Sequence, residues 1–481
     1  MIGWIIFGIV FGAFTIFLAV IFCRAAAFRP KAEPVPSTEE ISVDQAKETE
    51  NLRQLIRCKT VSYKDSALED DGEFEKLIGL LPTLYPHVME RCEFSRLADR
   101  ALLFRWKGKG EGDPTVLMAH YDVVPVKEEA WEKPPFEGIL EDGVLWGRGA
   151  LDTKVTFNGV LSGAEHLIAE GFVPEKDIYF AFSGGEEVNG MGAVRIVEYF
   201  EENGIHPAMV VDEGGAVVEG VFPGVKRPCG MIGIAEKGMM NVEYTAVSAG
   251  GHASAPKPNT PLVSLSRACC RIENHPFPFH LTPPVAQMFD TLGRHSSFAY
   301  RVIFSNLWCF RGVLNLICKK SGGEMNALVR TTVAFTQASG SSAANVIPPE
   351  ATMISNLRLN PEDTTESALA YLRETVGEER VSVRMLEGMN PSPISRTDCQ
   401  EWEKVASAVA STWKGTIVTP YLMVQCSDSR HWGRISDRVY RFSAMDLTSE
   451  ERATIHGNNE RIRVDCLCRA VEFYIRLMKL C

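Results

Sequence analysis

Five short stretches of the 481-residue chain carry side chains that bind metal ions or move protons. The apolar run VLMA ends in His120-Tyr121-Asp122. A neutral imidazole binds zinc, and its second ring nitrogen needs an acceptor, which a carboxylate two residues on can supply. Taken alone, His-x-Asp is common by chance. In LWGRGALDTK, Gly147 and Gly149 permit an irregular turn that delivers Asp152 just before a helical stretch, where an aspartate also suits a helix N-cap. The run IYFAFS leads into Glu186-Glu187, and AMVV leads into Asp212-Glu213. Adjacent carboxylates at the end of an apolar strand repel one another unless a cation lies beside them. Far downstream, IHGNNERI places His456 in a glycine- and asparagine-rich turn. Together these residues form an N/O ligand set suited to zinc, or less selectively to cobalt or manganese. Two ions sharing one carboxylate would use one His, one bridging Asp, two acidic ligands and a second His, and leave Glu186 free as a base.

These residues need strands that end side by side. After an amphipathic stretch, Val43 to Ile56, short apolar strands alternate with helical segments. Strands are read at Thr115–Ala119, Ile178–Phe182 and Ala208–Val211, and helices at Thr156–Glu170 and Ala193–Glu202. This alternation predicts βαβ units and an α/β fold with a mostly parallel sheet, in which ligands sit beyond the carboxyl ends of the strands. From 238 to 388 the pattern changes to alternating strands (NVEYTAVSA, TTVAFT, ATMISNLRL), with GGHASAP opening a helical stretch. That reads as an α+β domain inserted into the first. The long apolar tract Thr282 to Ser321 within it offers room for a bulky substrate group. Residues 389–481 return to the first domain and end in the amphipathic run Val464 to Leu480.

Ahead of all this, Ile2 to Cys23 carries no charge, and its 22 residues make roughly 33 Å of helix, enough to cross a bilayer. A cleaved signal peptide is the rival reading, but it would have a basic start and a shorter apolar core. Arg24, Arg29 and Lys31 follow the span and none precedes it, so the positive-inside rule places the globular part on the cytoplasmic side. The proline-rich tract after it reads as a linker. The divisions are therefore an anchor (1–24), a linker (25–42), a catalytic domain in two parts (43–237 and 389–481) and an inserted domain (238–388). A formal charge of -11 argues against a nucleic-acid binder. Thirteen cysteines without a CxxC pair argue against a disulfide framework and for a reduced compartment.

The motifs HYDVVPV, WGRGALDTK, GGEEVNGMGA, VDEGG, GGHASAP, NVIPP, NLRLNP and IHGNNERI together resemble the dizinc aminoacylase and carboxypeptidase family of clan MH. The likeness is to the type of carboxypeptidase S and the N-fatty-acyl amino acid synthase/hydrolases, and it runs from about Asn51 to the C-terminus. It implies two zinc ions per chain, with His120 on one, His456 on the other and Asp152 bridging. Glu187 would be a further ligand, Glu186 the general base and Asp122 the carboxylate that orients His120. In VDEGG the pattern favours Glu213 as ligand, with Asp212 the alternative. His252 resembles a histidine of the inserted lid that stabilises the oxyanion, often across a homodimer interface. Asn345 and Arg358 resemble lid residues that hold substrate, Arg358 gripping its free carboxylate, and His431 lies in a motif near the substrate. Thr153 departs from the pattern, since relatives often carry a second aspartate there.

The resulting expectation is a membrane-anchored dizinc hydrolase of amides next to a free carboxylate, acting on N-acyl amino acids or peptide C-termini. The alternatives are a dipeptidase or aminopeptidase on the same scaffold, the reverse N-acyl amino acid synthase, and a silent membrane-tethered binding module. His87, His166, His206, His275, His280 and His295 read as structural. Cys269-Cys270 and Cys466-x-Cys468 read as small buried residues of helices.

Overall fold

A computed structural model describes residues 1–377 and 380–481. The main sheet has eight strands in the order Glu93–Leu97, Ala101–Trp106, Ile178–Ser183, Thr115–His120, Met209–Val218, Val439–Leu447, Cys229–Glu236 and Ile417–Met423. Its four central strands, from Ile178–Ser183 to Val439–Leu447, run parallel. The sheet as a whole is mixed, which corrects the mostly parallel expectation. Glu93–Leu97 and Ala101–Trp106 form a hairpin through a tight turn with Asp99 and Arg100 at positive φ, and a hairpin must be antiparallel. Cys229–Glu236 meets Val439–Leu447 antiparallel and Ile417–Met423 parallel.

The helix Lys154–Ala169 lies against the sheet and under the last helix, Val464–Lys479, and nearly every residue of it is buried. The two helices come close because Gly159 and Gly163, one turn apart, carry no side chain. A Cβ at either would stand 3.0 or 3.1 Å from Tyr474.

A second, fully antiparallel sheet joins Thr332–Ser339, Glu350–Leu359, Gly238–Val247 and Val381–Met389 in that order. The alternating burial along Gly238–Val247 presents Met240, Val242, Tyr244 and Ala246 to the helices Pro261–Asn274 and Thr365–Val376. This core is separate from that of the main sheet. The GGHASAP motif, read as opening a helix, forms a two-stranded ribbon instead: Gly251–His252 pairs with Val346–Ile347, and the helix begins only at Pro261.

The helices Pro283–His295, Phe298–Phe304, Leu307–Ser321 and Gly323–Val329 lie within the inserted segment but add Val285, Met288, Phe289, Leu292 and Leu328 to the core of the main sheet. They also meet the N-terminal helix, Ile2–Ala27, which is long and apolar enough to cross a membrane. The tract after it is strapped to the surface by Lys31 on Asp290, Arg227 on both oxygens of Glu33, and Lys479 on Glu39. All thirteen cysteines are unpaired, and Cys270 is exposed where a buried residue was expected. The helix Pro261–Asn274 turns Leu265, Ala268 and Ile272 inward, which leaves Cys270 on the opposite face.

Candidate metal centre and active site

The chemistry-bearing residues meet at the carboxyl ends of the central strands. His120 is the last residue of its strand and is buried. Its Nε2 stands 3.0 Å from Asp152 Oδ1 and 3.5 Å from Glu213 Oε1. The second oxygen of Asp152 stands 3.0 Å from His456 Nε2, which is also 3.0 Å from Glu187 Oε2. Two trios, His120–Asp152–Glu213 and Asp152–Glu187–His456, thus share one aspartate, each through its own oxygen.

Each side chain has a local reason for its place. The strand Met209–Val218 does not end at the acidic pair as read from the sequence but runs through it. Asp212 pairs with Arg441 and Gly215 with Phe442, so Glu213 and Gly214 bulge out of the ladder and Glu213 is re-aimed. Gly215 is required there, because a Cβ would fall 1.7 Å from the Met231 carbonyl oxygen. Asp212 is occupied elsewhere, its Oδ2 accepting from Ser429 N, so of the two acids it is Glu213 that faces His120. His456 is a left-handed residue, φ 58°, before Gly457; its side chain is half exposed, with Nε2 directed at Asp152 and Glu187.

Asp122, expected to orient His120, does more than that. His120 Nδ1 lies 3.1 Å from the Asp122 carbonyl oxygen and 3.4 Å from its carboxylate. The carboxylate chiefly accepts the backbone N–H groups of Glu186 and Glu187, and so fixes the loop that carries both glutamates.

Glu460 was not singled out in the sequence, although it stands in the stretch that flagged His456. It is fully buried and holds the turn that presents Asp152. Its Oε1 accepts from Leu151 N at 2.7 Å and Asp152 N at 3.0 Å, and its Oε2 accepts from Gly149 N at 3.0 Å and Arg148 Nη1 at 2.7 Å. The peptide between Asp152 and Thr153 is cis.

The electrostatics of the trios call for a cation. Burial, with Asp152 adding, pushes the Glu187 carboxyl up to about 7. Burial does the same to Glu213, also to about 7. Glu186 is pushed well above the ordinary carboxylate range by burial, with Asp428, Glu213 and Glu187 adding to it against the pull of His120. Hydrogen bonds to Asp152 and Glu187 raise His456 to about 11. Burial opposes a charge on His120, yet Glu213, Asp122 and Asp152 overcome it and raise its pKa. Glu187 Oε1 is buried without a hydrogen-bond partner among the described residues. Crowded acids, imidazoles aimed among them and an unpartnered buried oxygen fit a bound divalent ion, which would hold the acids as anions and the imidazoles neutral.

The trios open on a cavity of about 640 Å³ lined by Asp152, Glu186, Glu213 and His456. Its far wall is apolar, with Phe222, Met288, Leu292, Leu328 and Met445 among its residues. Arg358 reaches its edge, Nη1 lying 3.3 Å from the sulfur of Cys426, which lines the cavity. His252 and Asn345 are together but elsewhere: the Asn345 carbonyl accepts from Ala253 N, and His252 is exposed with its Nδ1 2.8 Å from Ser254 Oγ. They belong to a ribbon at the end of the second sheet, so within one chain neither is among the described residues lining the cavity. His431 lies on the turn Asp428–Arg434, where burial lowers its pKa to about 4, with Arg430 and Arg434 adding.

An α/β sheet whose strand ends gather two acid–imidazole trios around a shared aspartate defines a hydrolytic enzyme of the metallopeptidase class. Residues 116–480 match Peptidase family M20/M25/M40, and the chain belongs to that family. It is 32% identical over 467 residues to "Probable carboxypeptidase S-like 2" of Dictyostelium discoideum, covering 95% of this chain and 90% of that one. It is 34% identical over 453 residues to N-fatty-acyl-amino acid synthase/hydrolase PM20D1 of Xenopus tropicalis, covering 92% and 87%. Among solved structures it resembles the M20 family metallo-carboxypeptidase Sso-CP2 of Sulfolobus solfataricus, with a TM-score of 0.64 and 16% identity over 90% of this chain and 98% of that one.

Proposed function

We propose that the protein is a dizinc amidohydrolase that cleaves N-acyl amino acids, releasing an amino acid and a carboxylic acid with a long apolar chain. The observation that carries this reading is the cavity of about 640 Å³, apolar on its far wall, that opens directly off the two trios. That volume lies within the roughly 300–1,000 Å³ of small-molecule sites. The Xenopus relative's name, an N-fatty-acyl-amino acid synthase/hydrolase, supports the substrate class.

His120, Asp152 and Glu213 would hold one ion, and Asp152, Glu187 and His456 the other. Zinc bound there supplies a water acidified to near neutrality and polarises the scissile carbonyl. Glu186 belongs to neither trio and lines the same cavity, so it is free to take the proton of the attacking water and pass it to the leaving amine. Asp122 keeps Glu186 and Glu187 in register through their backbone N–H groups. Arg358 grips the substrate carboxylate with its guanidinium fork. His252 supplies the oxyanion partner from a second copy of the chain, docked through the lobe of the second sheet, which acts as the lid. The helix Ile2–Ala27 anchors the enzyme in a membrane, with Arg24, Arg29 and Lys31 holding the globular part on the cytoplasmic side. The reverse condensation uses the same residues, its direction set by reactant concentrations.

A series of N-acyl amino acids of increasing chain length tests this. At about 0.8 kcal/mol per buried methylene, kcat/KM rises at least about tenfold from a C8 to a C12 chain. Leu292→Trp, which fills the far wall, moves the optimum to shorter chains. A flat length profile, or dipeptides turned over faster than every acyl amino acid, refutes the assignment.

A further inference from the structure

The helices Phe298–Phe304 and Leu307–Ser321 are bent by 104° at the break between them. On the second helix Leu314 and Cys318, one turn apart, face the core, while Trp308, Val313, Leu316 and Ile317 are exposed. Leu316 is 66% exposed and Trp308 60%. Phe298 and Tyr300 add to this apolar surface, and the exposed Lys319 and Lys320 close it at one end. Large apolar side chains exposed in such number on one helix pair mark a surface for a covering partner.

Its neighbour indicates which partner. The pair is fixed to the helix Ile2–Ala27: Asn306 Nδ2 donates to the Ile21 carbonyl at 3.1 Å, and Arg24 Nη2 donates to the Ser305 carbonyl at 2.9 Å. The Phe22 and Phe298 rings stack at 6.3 Å, and the Phe17 and Trp308 rings meet edge to face at 5.9 Å. Phe17 lies six residues inside the end of the uncharged run at Cys23, roughly 9 Å along the helix axis. If that run occupies hydrocarbon, Trp308 reaches a similar depth, which matches the roughly 5–10 Å to which interfacial helices bury their apolar face. The two lysines suit anionic headgroups.

The same helices back the substrate cavity. Phe222 lines it, and its ring lies 4.6 Å from that of Phe304. Phe304 also lines a cleft of about 460 Å³ between the N-terminal helix and the pair. Two packed aromatic rings, Phe222 and Phe304, therefore stand between the two spaces.

We propose that Phe298–Ser321 is a second membrane contact, seated in the bilayer beside the anchor, and that acyl chains pass from the bilayer to the cavity through the Phe222–Phe304 partition. The passage rests on the N-acyl amino acid reading, whereas the seating does not. The test uses the full chain reconstituted in phosphatidylcholine vesicles containing phosphatidylserine, with a diazirine probe dissolved in the bilayer and labelled peptides mapped by mass spectrometry. Labelling of 298–321 together with Ile2–Ala27 is expected, well above that of the exposed apolar residues Val247, Met385 and Leu386 of the other lobe. Labelling of Ile2–Ala27 alone, or of neither, overturns the seating whatever the enzyme hydrolyses. For the passage, Trp308→Glu, Leu316→Glu and Ile317→Glu are combined. This variant, still held at the membrane by Ile2–Ala27, loses at least about tenfold in kcat/KM for a bilayer-partitioned long-chain substrate, because acyl chains no longer enter the cavity directly from the bilayer at their high concentration there, and keeps its rate on a short soluble one. Equal loss on both substrates, or no loss on either, overturns it.

Discussion

Glu460→Gln isolates the residue on which both trios depend. The carboxylate accepts four hydrogen bonds, two on each oxygen, and its partner Arg148 is only 2% exposed. Glutamine matches the shape but keeps one acceptor oxygen. Its NH₂ must face either the Leu151 and Asp152 N–H groups or the Gly149 N–H and Arg148. Either way two donors lose their acceptor, and Arg148 is left without a buried counter-charge, a loss of about 3–5 kcal/mol. Against a total stability of roughly 5–15 kcal/mol the variant still folds, but its urea midpoint falls markedly. The slackened turn also loosens Asp152, so zinc affinity falls by about 10–100-fold, as for other residues that support a metal ligand. Urea unfolding in detergent, followed by tryptophan fluorescence, reads the first effect. Zinc content after dialysis against graded chelator reads the second. A variant with an unchanged midpoint and unchanged zinc retention refutes the role given to Glu460.

Glu186→Gln keeps its zinc but loses about 10²–10⁴-fold in turnover, measured as kcat beside metal content; retained hydrolysis removes Glu186 as the base. Arg358→Ala raises KM for carboxylate-bearing substrates by about 10–100-fold and leaves the matching carboxamides nearly unchanged, the loss expected for hydrogen bonds to a charged group. Equal effects on both series count against the clamp. Co-expressed Glu186→Gln and His252→Ala chains, each inactive alone, recover roughly a quarter of wild-type turnover if His252 serves the partner's site in a two-fold dimer. No recovery places His252 outside the reaction.

Much of the site was legible because its chemistry is written locally. His120, Asp152, Glu187 and His456 each stand at a strand end or in a glycine-rich turn, and the structure brings them together. Between Asp212 and Glu213 the family resemblance favoured Glu213, but the residues themselves do not decide, since the choice depends on a bulge set by the register against Val439–Leu447, more than 200 residues away. Glu460 was missed because its partners are backbone N–H groups of a distant turn, which no local pattern announces. The antiparallel edges of the main sheet escaped for a related reason: periodicity marks a strand but not its direction. The helices between 283 and 329 were assigned to the inserted lobe by sequence order, whereas their apolar faces pack against the main core.

The central claim, two ions held by two trios around Asp152, is tested most directly by elemental analysis of the purified full chain alongside its activity. The account predicts about two zinc ions per chain, with turnover lost on chelation and restored by added zinc. A fully active enzyme holding one ion or none contradicts it.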